Sequence, residues 1–182
     1  ECSSKLFSKK SASLPFDKKG QVIFFTKTPS QISIWTTGTI PRAKAILFAT
    51  RTRWKKLPET IKGSKEFERR GVNYCALCDG PLYKNKVVAV IGGSDSAAKD
   101  ALVLSEFAKK VYIIYRGDKI HPERINYDRV NSKKNIEIIL NTNLKEVHGK
   151  ARVEEVVLDK KYNDSNILKL DAVFVAIGHE IH

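Results

Sequence analysis

The amino-acid sequence predicts an α/β fold in which a parallel sheet with helices is combined with an antiparallel β-meander. The stretch KVVAVIGGSDSAAKDALVLSEFAKKVYIIYRGD has the order strand, glycine turn, helix and strand, which is typical of a right-handed parallel β-α-β unit. Alternating apolar segments follow it and indicate antiparallel strands. Residues 1–20 precede both regions, are rich in lysine and serine, and are predicted to be a poorly structured lead-in.

The first predicted elements are short and rich in β-branched and aromatic residues. QVIFFTK and QISIWTT lie on either side of Thr28-Pro29-Ser30 and are predicted to be adjacent strands. KAILFAT, residues 44–50, is a continuous apolar run that suits a buried strand. A polar connection then runs to Gly71. The chain before Gly71 is therefore predicted to be mainly β.

The later elements are predicted from apolar periodicity. The helix places five apolar residues on or near one face: Ala97, Ala101, Leu102, Leu104 and Ala108. The predicted strands of the parallel sheet are Val87–Ile91, Val111–Tyr115, Ile136–Leu140 and the final buried Asp171–Ile177. The predicted helices are Ser96–Phe107 and the short PERINYDRVNS. The predicted meander strands are Leu144–His148, Val153–Leu158 and Ile167–Leu170, with a polar turn at Tyr162–Asn166.

Composition restricts the classes of protein to which the chain belongs. Its 182 residues carry a net charge of +13, which favours anionic partners, but the basic residues are scattered, so we do not expect a primary role in nucleic-acid binding. No apolar run reaches the ~20 residues of a membrane span, and residues 1–13 lack the apolar core of a signal peptide. Three cysteines form an odd count that suits a reducing compartment, so we expect a cytoplasmic protein.

The glycine turn VAVIGGSDSAA follows a strand and opens a helix, the context in which a dinucleotide fingerprint is credible. Gly92 is expected to make the tight turn, and Ala97 to let the helix lie close to the sheet. The helix N-terminus offers N–H groups to a pyrophosphate. Ser94 stands where the fingerprint has its second glycine. We therefore predict a Rossmann-like NAD(P)-binding domain, with a βα turn that binds no ligand as the alternative.

The segment YRGDKIH follows the second strand of this unit. A carboxylate at that strand end favours a free ribose hydroxyl, whereas an arginine accommodates a 2′-phosphate. Arg116 comes first, and Asp118 and Lys119 follow. The order favours NADP over NAD, with a solvated charged turn as the alternative.

Two cysteines separated by two residues, Cys75 and Cys78, precede the glycine turn. A zinc site needs four ligands, usually as two pairs, and the sequence has no second pair of this kind, so no metal site is predicted. A C-x-x-C pair beside a β-α-β unit indicates a redox pair, and Asp79 is a candidate proton donor or acceptor. Two buried small hydrophobic residues are the alternative. A dithiol and a nicotinamide each exchange two electrons, and a flavin is the usual intermediary.

Several quoted segments together resemble the low-molecular-weight thioredoxin reductases. RRGVNYCALCDGPLYKNKVVAVIGGSDSA is similar to that family's RGVSYCATCDG followed by VAVIGGGDSA. KVYIIYRGDKIH resembles its HRRDxFR segment, LDAVFVAIGHE resembles its VDGVFVAIGHxP strand, and KAILFATRTRWKKLPETIKGSKEFERRG resembles the end of its FAD lobe. The resemblance covers roughly residues 21–180.

The resemblance implies NADPH and FAD as cofactors, with NAD as the alternative donor, and a thioredoxin-like protein as the partner. It implies that Cys78 exchanges electrons with the flavin, that Cys75 attacks the partner's disulfide, and that Asp79 assists proton transfer. The cofactor-binding residues implied by position are Gly92, Gly93, Ser94, Asp95, Ser96, Ala97, Tyr115, Arg116, His121, Ile177 and Gly178. It also implies a homodimer for the full-length protein.

The same resemblance implies the domain organisation. Residues 21–72 would be a partial, β-rich remnant of an FAD-binding domain, and residues 73–180 the NAD(P)-binding domain that carries the redox disulfide. The family's N-terminal FAD fingerprint and its C-terminal flavin-contacting segment are absent, and the chain starts with Glu1 and contains no Met. We therefore expect a fragment that does not turn over alone.

Four positions depart from the family's pattern. Gly117 and His121 stand where it has arginines, Ser94 replaces a glycine, and Arg51 replaces the glycine of its A-T-G motif. Two alternatives therefore stay open. One is a related flavoprotein disulfide reductase that uses NADH or another donor or acceptor, and the other is a degenerate binding module without catalysis.

Overall fold

The computed structural model describes residues 23–28, 31–36 and 52–181, and the chain divides into two compact units, residues 1–49 and 50–182. In the first unit, β1 (Ile23–Thr28) and β2 (Gln31–Thr36) pair antiparallel. The two adjacent strands predicted here are confirmed. The predicted lead-in and the predicted strand at residues 44–50 lie outside the described residues. The division predicted between residues 72 and 73 stays a prediction.

A five-stranded parallel sheet forms the centre of the second unit, in the order β4-β11-β5-β6-β7. Its strands are β4 (Val72–Asn73), β5 (Val87–Ile91), β6 (Lys110–Ile114), β7 (Ile136–Ile139) and β11 (Ala172–Val175). The predicted α/β class and the parallel pairing of β5 with β6 are confirmed. β5 has the predicted limits, whereas β6, β7 and β11 begin or end one or two residues away from theirs. The two-residue β4 is too short to show a pattern.

The strands of this sheet are apolar throughout because both faces are covered. In β5, Val88 and Val90 pack against the helices, whereas Ala89 packs on the opposite side with the meander. In β11, Phe174 faces the helices and Val173 faces the meander. Successive side chains of a strand point to opposite faces, so continuous apolar runs are the expected sequence of a sheet buried on two sides.

Helices cover one face of the sheet. These are α1 (Ala76–Asp79), α2 (Asp95–Ser105) and α3 (Arg124–Ser132), with a 3₁₀ turn at Gly80–Tyr83. The predicted α2 extended to Phe107, but the N–H groups of Glu106 and Phe107 donate to carbonyls only three residues earlier. The last turn therefore tightens and the regular helix ends at Ser105. No helix among the described residues is long and apolar enough to cross a membrane.

The predicted antiparallel meander covers the other face. It consists of β8 (Leu144–Gly149), β9 (Val153–Tyr162) and β10 (Ser165–Lys169), in the order β10-β9-β8. Asn163 and Asp164 both have positive φ, 49° and 65°, and these residue types tolerate left-handed backbone. The turn is therefore two residues long, shorter than the predicted Tyr162–Asn166.

A short ribbon pairs residues from far apart in the chain, and the sequence did not reveal it. β3 (Thr52–Trp54) pairs antiparallel with β12 (His179–Ile181), and the Lys55 N–H donates to the Gly178 carbonyl at 2.9 Å. The Trp54 and His179 rings lie 6.4 Å apart. The ribbon brings the segment after β3 to the carboxyl end of β11.

Candidate functional site

A cleft of about 600 Å³ lies at the carboxyl ends of the parallel strands. This is the edge at which open α/β sheets bind ligands. The predicted cofactor residues that line it are Gly92, Gly93, Ser94, Tyr115, Arg116, His121, Ile177 and Gly178. The cleft therefore brings together residues that follow three separate strands, β5, β6 and β11.

The glycine turn is packed so closely that two of its positions accept no side chain. Gly92 has φ +148°, and a Cβ there would lie 2.3 Å from the Ala176 carbonyl oxygen. A Cβ on Gly93 would lie 2.5 Å from the ring of Tyr115. Bare backbone therefore forms this wall of the cleft, and Tyr115 covers one side of it.

The segment that follows β6 folds back over the glycine turn. The His121 N–H donates to the Gly93 carbonyl at 2.6 Å, and His121 pairs with Ser94 in an isolated bridge. Ser94 is the N-cap of α2, with an exposed side chain that makes no capping hydrogen bond. The Ser94 hydroxyl is therefore free to contact a ligand at the start of α2.

Three predicted cofactor residues do not line the cleft. Asp95 Oδ1 accepts hydrogen bonds from Asn126 Nδ2 at 2.7 Å and from the Glu123 N–H at 3.0 Å, and Asp95 Oδ2 lies 2.7 Å from Lys99 Nζ. The hydrogen bonds from Lys99 and then from Asn126 and Glu123 lower the pKa of Asp95 to about 2. The Asp95 carboxylate thus joins the starts of α2 and α3.

The other two of these residues lie on α2. Ser96 is exposed, and Ala97 is fully buried. A Cβ on Gly92 would lie 3.2 Å from the Ala97 methyl group. Ala97 therefore lets the helix approach the glycine turn, as its place in the fingerprint predicts.

Further lining residues were missed at the level of sequence: Lys55, Leu57, Pro58, Ile61, Thr142, Asn143 and Leu144. The backbone N–H and Nδ2 of Asn143 donate to the two carboxylate oxygens of Asp159, each at 2.7 Å. The Thr142 N–H donates to the Tyr115 carbonyl at 3.0 Å. Thr142 and Asn143 follow β7, so the rule that ligands lie beyond strand ends could have found them. No sequence pattern would have found the segment after β3.

Cys75 and Cys78 form a disulfide, with their Cα atoms 5.3 Å apart. Cys75 is the extended N-cap of α1, and its Sγ accepts a hydrogen bond from the Cys78 N–H at 3.1 Å. Cys75 is half-buried, whereas Cys78 is exposed. The pair therefore lies at the surface, where it can meet another molecule.

The disulfide loop, defined here as residues 75–83, rests on α2. A Cβ on Gly80 would lie 3.4 Å from Leu104, and the Asn73 amide donates to the Tyr83 hydroxyl at 3.0 Å. Leu77, between the cysteines, is 78% exposed, and Leu82 is 77% exposed. The segment that carries the accessible disulfide therefore also exposes two apolar side chains.

Asp79, the third predicted catalytic residue, follows Cys78 directly. Its side chain is half-buried, and its N–H donates to the Cys75 carbonyl at 3.0 Å. Neither the cysteines nor Asp79 line the cleft. The structure therefore presents two separate candidate sites, a cleft and a disulfide loop.

A family model described as pyridine nucleotide-disulphide oxidoreductase matches residues 9–182. Among curated proteins, the chain is 38% identical over 162 residues to a thioredoxin reductase of Borreliella burgdorferi, covering 88% of this chain and 49% of that protein. It is 40% identical over 145 residues to a thioredoxin reductase of Treponema pallidum, covering 79% and 47%. The chain thus spans about half the length of the curated relatives it matches.

Solved structures of similar fold also include thioredoxin reductases. The Giardia duodenalis protein has a TM-score of 0.68 at 29% identity, covering 87% of this chain and 52% of that one. The Lactococcus lactis protein has a TM-score of 0.66 at 29% identity, covering 88% and 53%.

Proposed function

Because the chain belongs to the pyridine nucleotide-disulphide oxidoreductase family, we propose that it is the donor-binding, disulfide-bearing part of a thioredoxin-disulfide reductase. Electrons would pass from NADPH through FAD and the Cys75–Cys78 disulfide to a thioredoxin-like protein. The observation that carries the proposal is the accessible Cys75–Cys78 disulfide on the same domain as a cleft at the strand ends.

The cleft fits a dinucleotide. The absence of room for a Cβ at Gly92 and Gly93 leaves bare backbone where a pyrophosphate must approach. The N-terminus of α2 supplies N–H groups and a positive dipole end, with the free Ser94 hydroxyl beside it. Arg116 follows β6, where an arginine accommodates a 2′-phosphate. NADP is therefore the proposed occupant, with the nicotinamide toward Ile177 and Gly178.

The disulfide loop is proposed to contact two partners in turn, the flavin and then a thioredoxin-like protein. Leu77 and Leu82 are exposed apolar groups in the loop that holds Cys78, and a flat aromatic ring system packs on such groups. Nicotinamide and flavin, when bound, supply hydride and pass electrons to sulfur. We propose that FAD is held by residues 21–72 together with parts of the relatives that this chain does not span.

The protein step is thiol–disulfide exchange. The Cys75 thiolate attacks one sulfur of the partner's disulfide, and the second partner sulfur leaves as a thiolate. Cys78 then attacks Cys75 in the mixed disulfide, which re-forms the Cys75–Cys78 bond and releases the first partner sulfur. The thiols of Cys75 and Cys78 are thus oxidised to a disulfide while the partner's disulfide is reduced to two thiols. Asp79 is proposed to carry the protons.

The cellular setting is part of the same proposal. We propose that the complete reductase is a homodimer that acts in the cytoplasm. An odd count of three cysteines suits a compartment in which thiols stay reduced, and a dithiol catalyst must be re-reduced there.

Exchange can be tested without flavin. The chain is reduced with dithiothreitol, freed of reductant and mixed with an oxidised thioredoxin-like protein, and the partner's new thiols are counted by alkylation. We expect one disulfide reduced per chain. Cys78→Ser should accumulate a mixed disulfide through Cys75, and Cys75→Ser should abolish the transfer.

Cys2→Ser is the matched control, because it removes the remaining cysteine from the predicted lead-in. It should leave the transfer unchanged. Full transfer by Cys75→Ser would contradict the proposal.

A further inference from the structure

A buried amide lies just before the disulfide loop. Asn73, in β4, is 8% exposed, and its register partner on the neighbouring strand β11 is the fully buried Phe174. Burying an amide in such surroundings is unfavourable unless the amide is hydrogen-bonded. The Asn73 Nδ2 donates to the Tyr83 hydroxyl at 3.0 Å. The burial of Asn73 therefore depends on where the Tyr83 ring lies, and we name this hydrogen bond the clamp.

The clamp joins the two ends of the segment that carries the disulfide. Asn73 comes two residues before Cys75, and Tyr83 comes five residues after Cys78. The Tyr83 ring also makes an edge-to-face contact with Phe174, with the ring centroids 5.5 Å apart. Because Asn73 and Phe174 belong to paired strands, both ends of the segment are anchored to the parallel sheet.

The contacts that hold the segment in place include several that do not involve sulfur. Between the two ends of the clamp, Ala76 is buried in the apolar cluster that contains Phe174. The Asp79 N–H donates to the Cys75 carbonyl at 3.0 Å, and the Gly80 N–H donates to the Ala76 carbonyl. Reduction of the disulfide breaks none of these contacts. They are therefore available to hold the two thiols close together in the reduced chain.

The clamp and the disulfide close the same stretch of chain. Closing a loop costs conformational entropy, and a second contact costs less once the first has brought the ends together. The clamp and the disulfide should therefore stabilise each other, and a coupling of this kind is reciprocal. The reduction potential of the disulfide measures that coupling, because reduction removes one of the two links and leaves the other.

We propose that Asn73 and Tyr83 are positioning residues that lower the reduction potential of the Cys75–Cys78 disulfide by keeping the dithiol in the geometry of the disulfide. The inference rests on the proposed function for its consequence in the reaction. While Cys75 is joined to the partner protein, the clamp keeps Cys78 within reach of it. Without the clamp the dithiol is free to open, so the disulfide is easier to reduce and the mixed disulfide is resolved more slowly.

The reduction equilibrium isolates this effect, because it needs neither flavin nor partner protein. The full chain is equilibrated in buffers of reduced and oxidised dithiothreitol, where the protein disulfide becomes two thiols as one dithiothreitol becomes its cyclic disulfide. The thiols of Cys75 and Cys78 are then counted by alkylation and peptide mass. Tyr83→Phe and Asn73→Ala should each raise the equilibrium constant for reduction about threefold to tenfold, the scale of one hydrogen bond. Tenfold corresponds to about 30 mV for this two-electron couple.

Two further measurements separate the hydrogen bond from general support of the fold. Tyr83→Phe combined with Asn73→Ala should shift the equilibrium no further than either substitution alone, because both remove the same bond. Urea denaturation should show that Tyr83→Phe lowers the free energy of unfolding more in the disulfide form than in the dithiol form. An equal loss in the two forms would show that the clamp only supports the fold, and would overturn the inference.

Tyr162→Phe and Asn135→Ala are the matched controls, because they remove the same groups from hydrogen bonds elsewhere. The Tyr162 hydroxyl bonds the Glu137 carboxylate, and the Asn135 Nδ2 donates to the Ser105 carbonyl at 2.9 Å. Both controls should leave the reduction equilibrium unchanged. If the two clamp variants also leave it unchanged, the inference is overturned while the proposed exchange stands. If the unaltered chain forms no disulfide in any of these buffers, the redox pair and the inference fail together.

Discussion

The glycine turn and the disulfide loop differ in what holds them in place. At the glycine turn, Gly92 meets the Ala176 carbonyl and Gly93 meets the Tyr115 ring, residues brought in from β11 and from the end of β6. At the disulfide loop, Cys75 and Cys78 are three residues apart, and the Cys75 sulfur caps its own short helix. The first site is built by tertiary packing and the second largely by local sequence.

Because of this difference, substitutions at the glycine turn should lower the stability of the fold, whereas substitutions in the disulfide loop should mainly change the reaction. A change at the glycine turn must disturb the core as well as any bound nucleotide, because there is no free space beside it. A substitution among the exposed residues of the disulfide loop removes few packed atoms. It should therefore alter the reaction without destabilising the fold. Two substitutions at the glycine turn test this contrast, and a third tests a buried charge on α2. They follow in decreasing order of expected effect.

Gly92→Ala should have the largest effect. The new methyl group would lie 2.3 Å from the Ala176 oxygen, at a backbone φ of +148°. Strain and overpacking together should cost about 2 to 5 kcal/mol in the free energy of unfolding, measured by urea denaturation. Leu77→Ala, in the exposed disulfide loop, is the contrast and should change it by no more than about 0.5 kcal/mol. If Gly92→Ala and Leu77→Ala lowered the free energy of unfolding equally, the distinction between the two sites would be contradicted.

Gly93→Ala should cost less, about 1 to 3 kcal/mol, because the obstacle is a side chain and not backbone. The methyl group would lie 2.5 Å from the Tyr115 ring. In a Tyr115→Ala background most of that cost should disappear, so a double-mutant cycle should give a clear coupling energy. Additive effects of the two substitutions would show that Tyr115 does not hold the glycine turn.

Asp100→Asn should have the smallest effect, and one that depends on pH. Burial raises the pKa of the Asp100 carboxyl to about 6, with the charge of His179 opposing the shift. Between pH 4 and 6 the carboxyl is ionised in the unfolded chain but still protonated in the folded chain. The free energy of unfolding therefore falls as pH rises through this range, and the full destabilisation is present above about pH 6.

Asparagine at position 100 carries no charge, so it removes the destabilisation caused by the ionised carboxylate. Unfolding at pH 7 should show Asp100→Asn to be more stable by about 1 to 2 kcal/mol, a value reduced for partial exposure. Near pH 3 the two proteins should match, because the carboxyl is then protonated in both states. A stabilisation that is equal at both pH values would contradict the burial of this charge.

The sequence predicted features that depend on neighbours along the chain. Val88 and Ala89 face opposite sides of a covered sheet, so an unbroken apolar run was enough to predict β5. The pairing of Thr52 with Ile181 and the placement of Lys55 in the cleft depend on residues far apart in the chain. Asp95 lay inside a nucleotide fingerprint, yet Asn126 of α3 holds its carboxylate, a contact that only the assembled fold provides.

The most direct test of two separate sites on one domain is an amide NMR titration of the chain with NADP⁺, in the disulfide and dithiothreitol-reduced forms. NADP⁺ should shift the resonances of Gly93, Ser94 and Tyr115 in both forms. Reduction without nucleotide should shift Ala76 to Asp79 and leave the glycine turn unchanged. A titration in which NADP⁺ leaves the glycine-turn resonances unmoved would contradict the account.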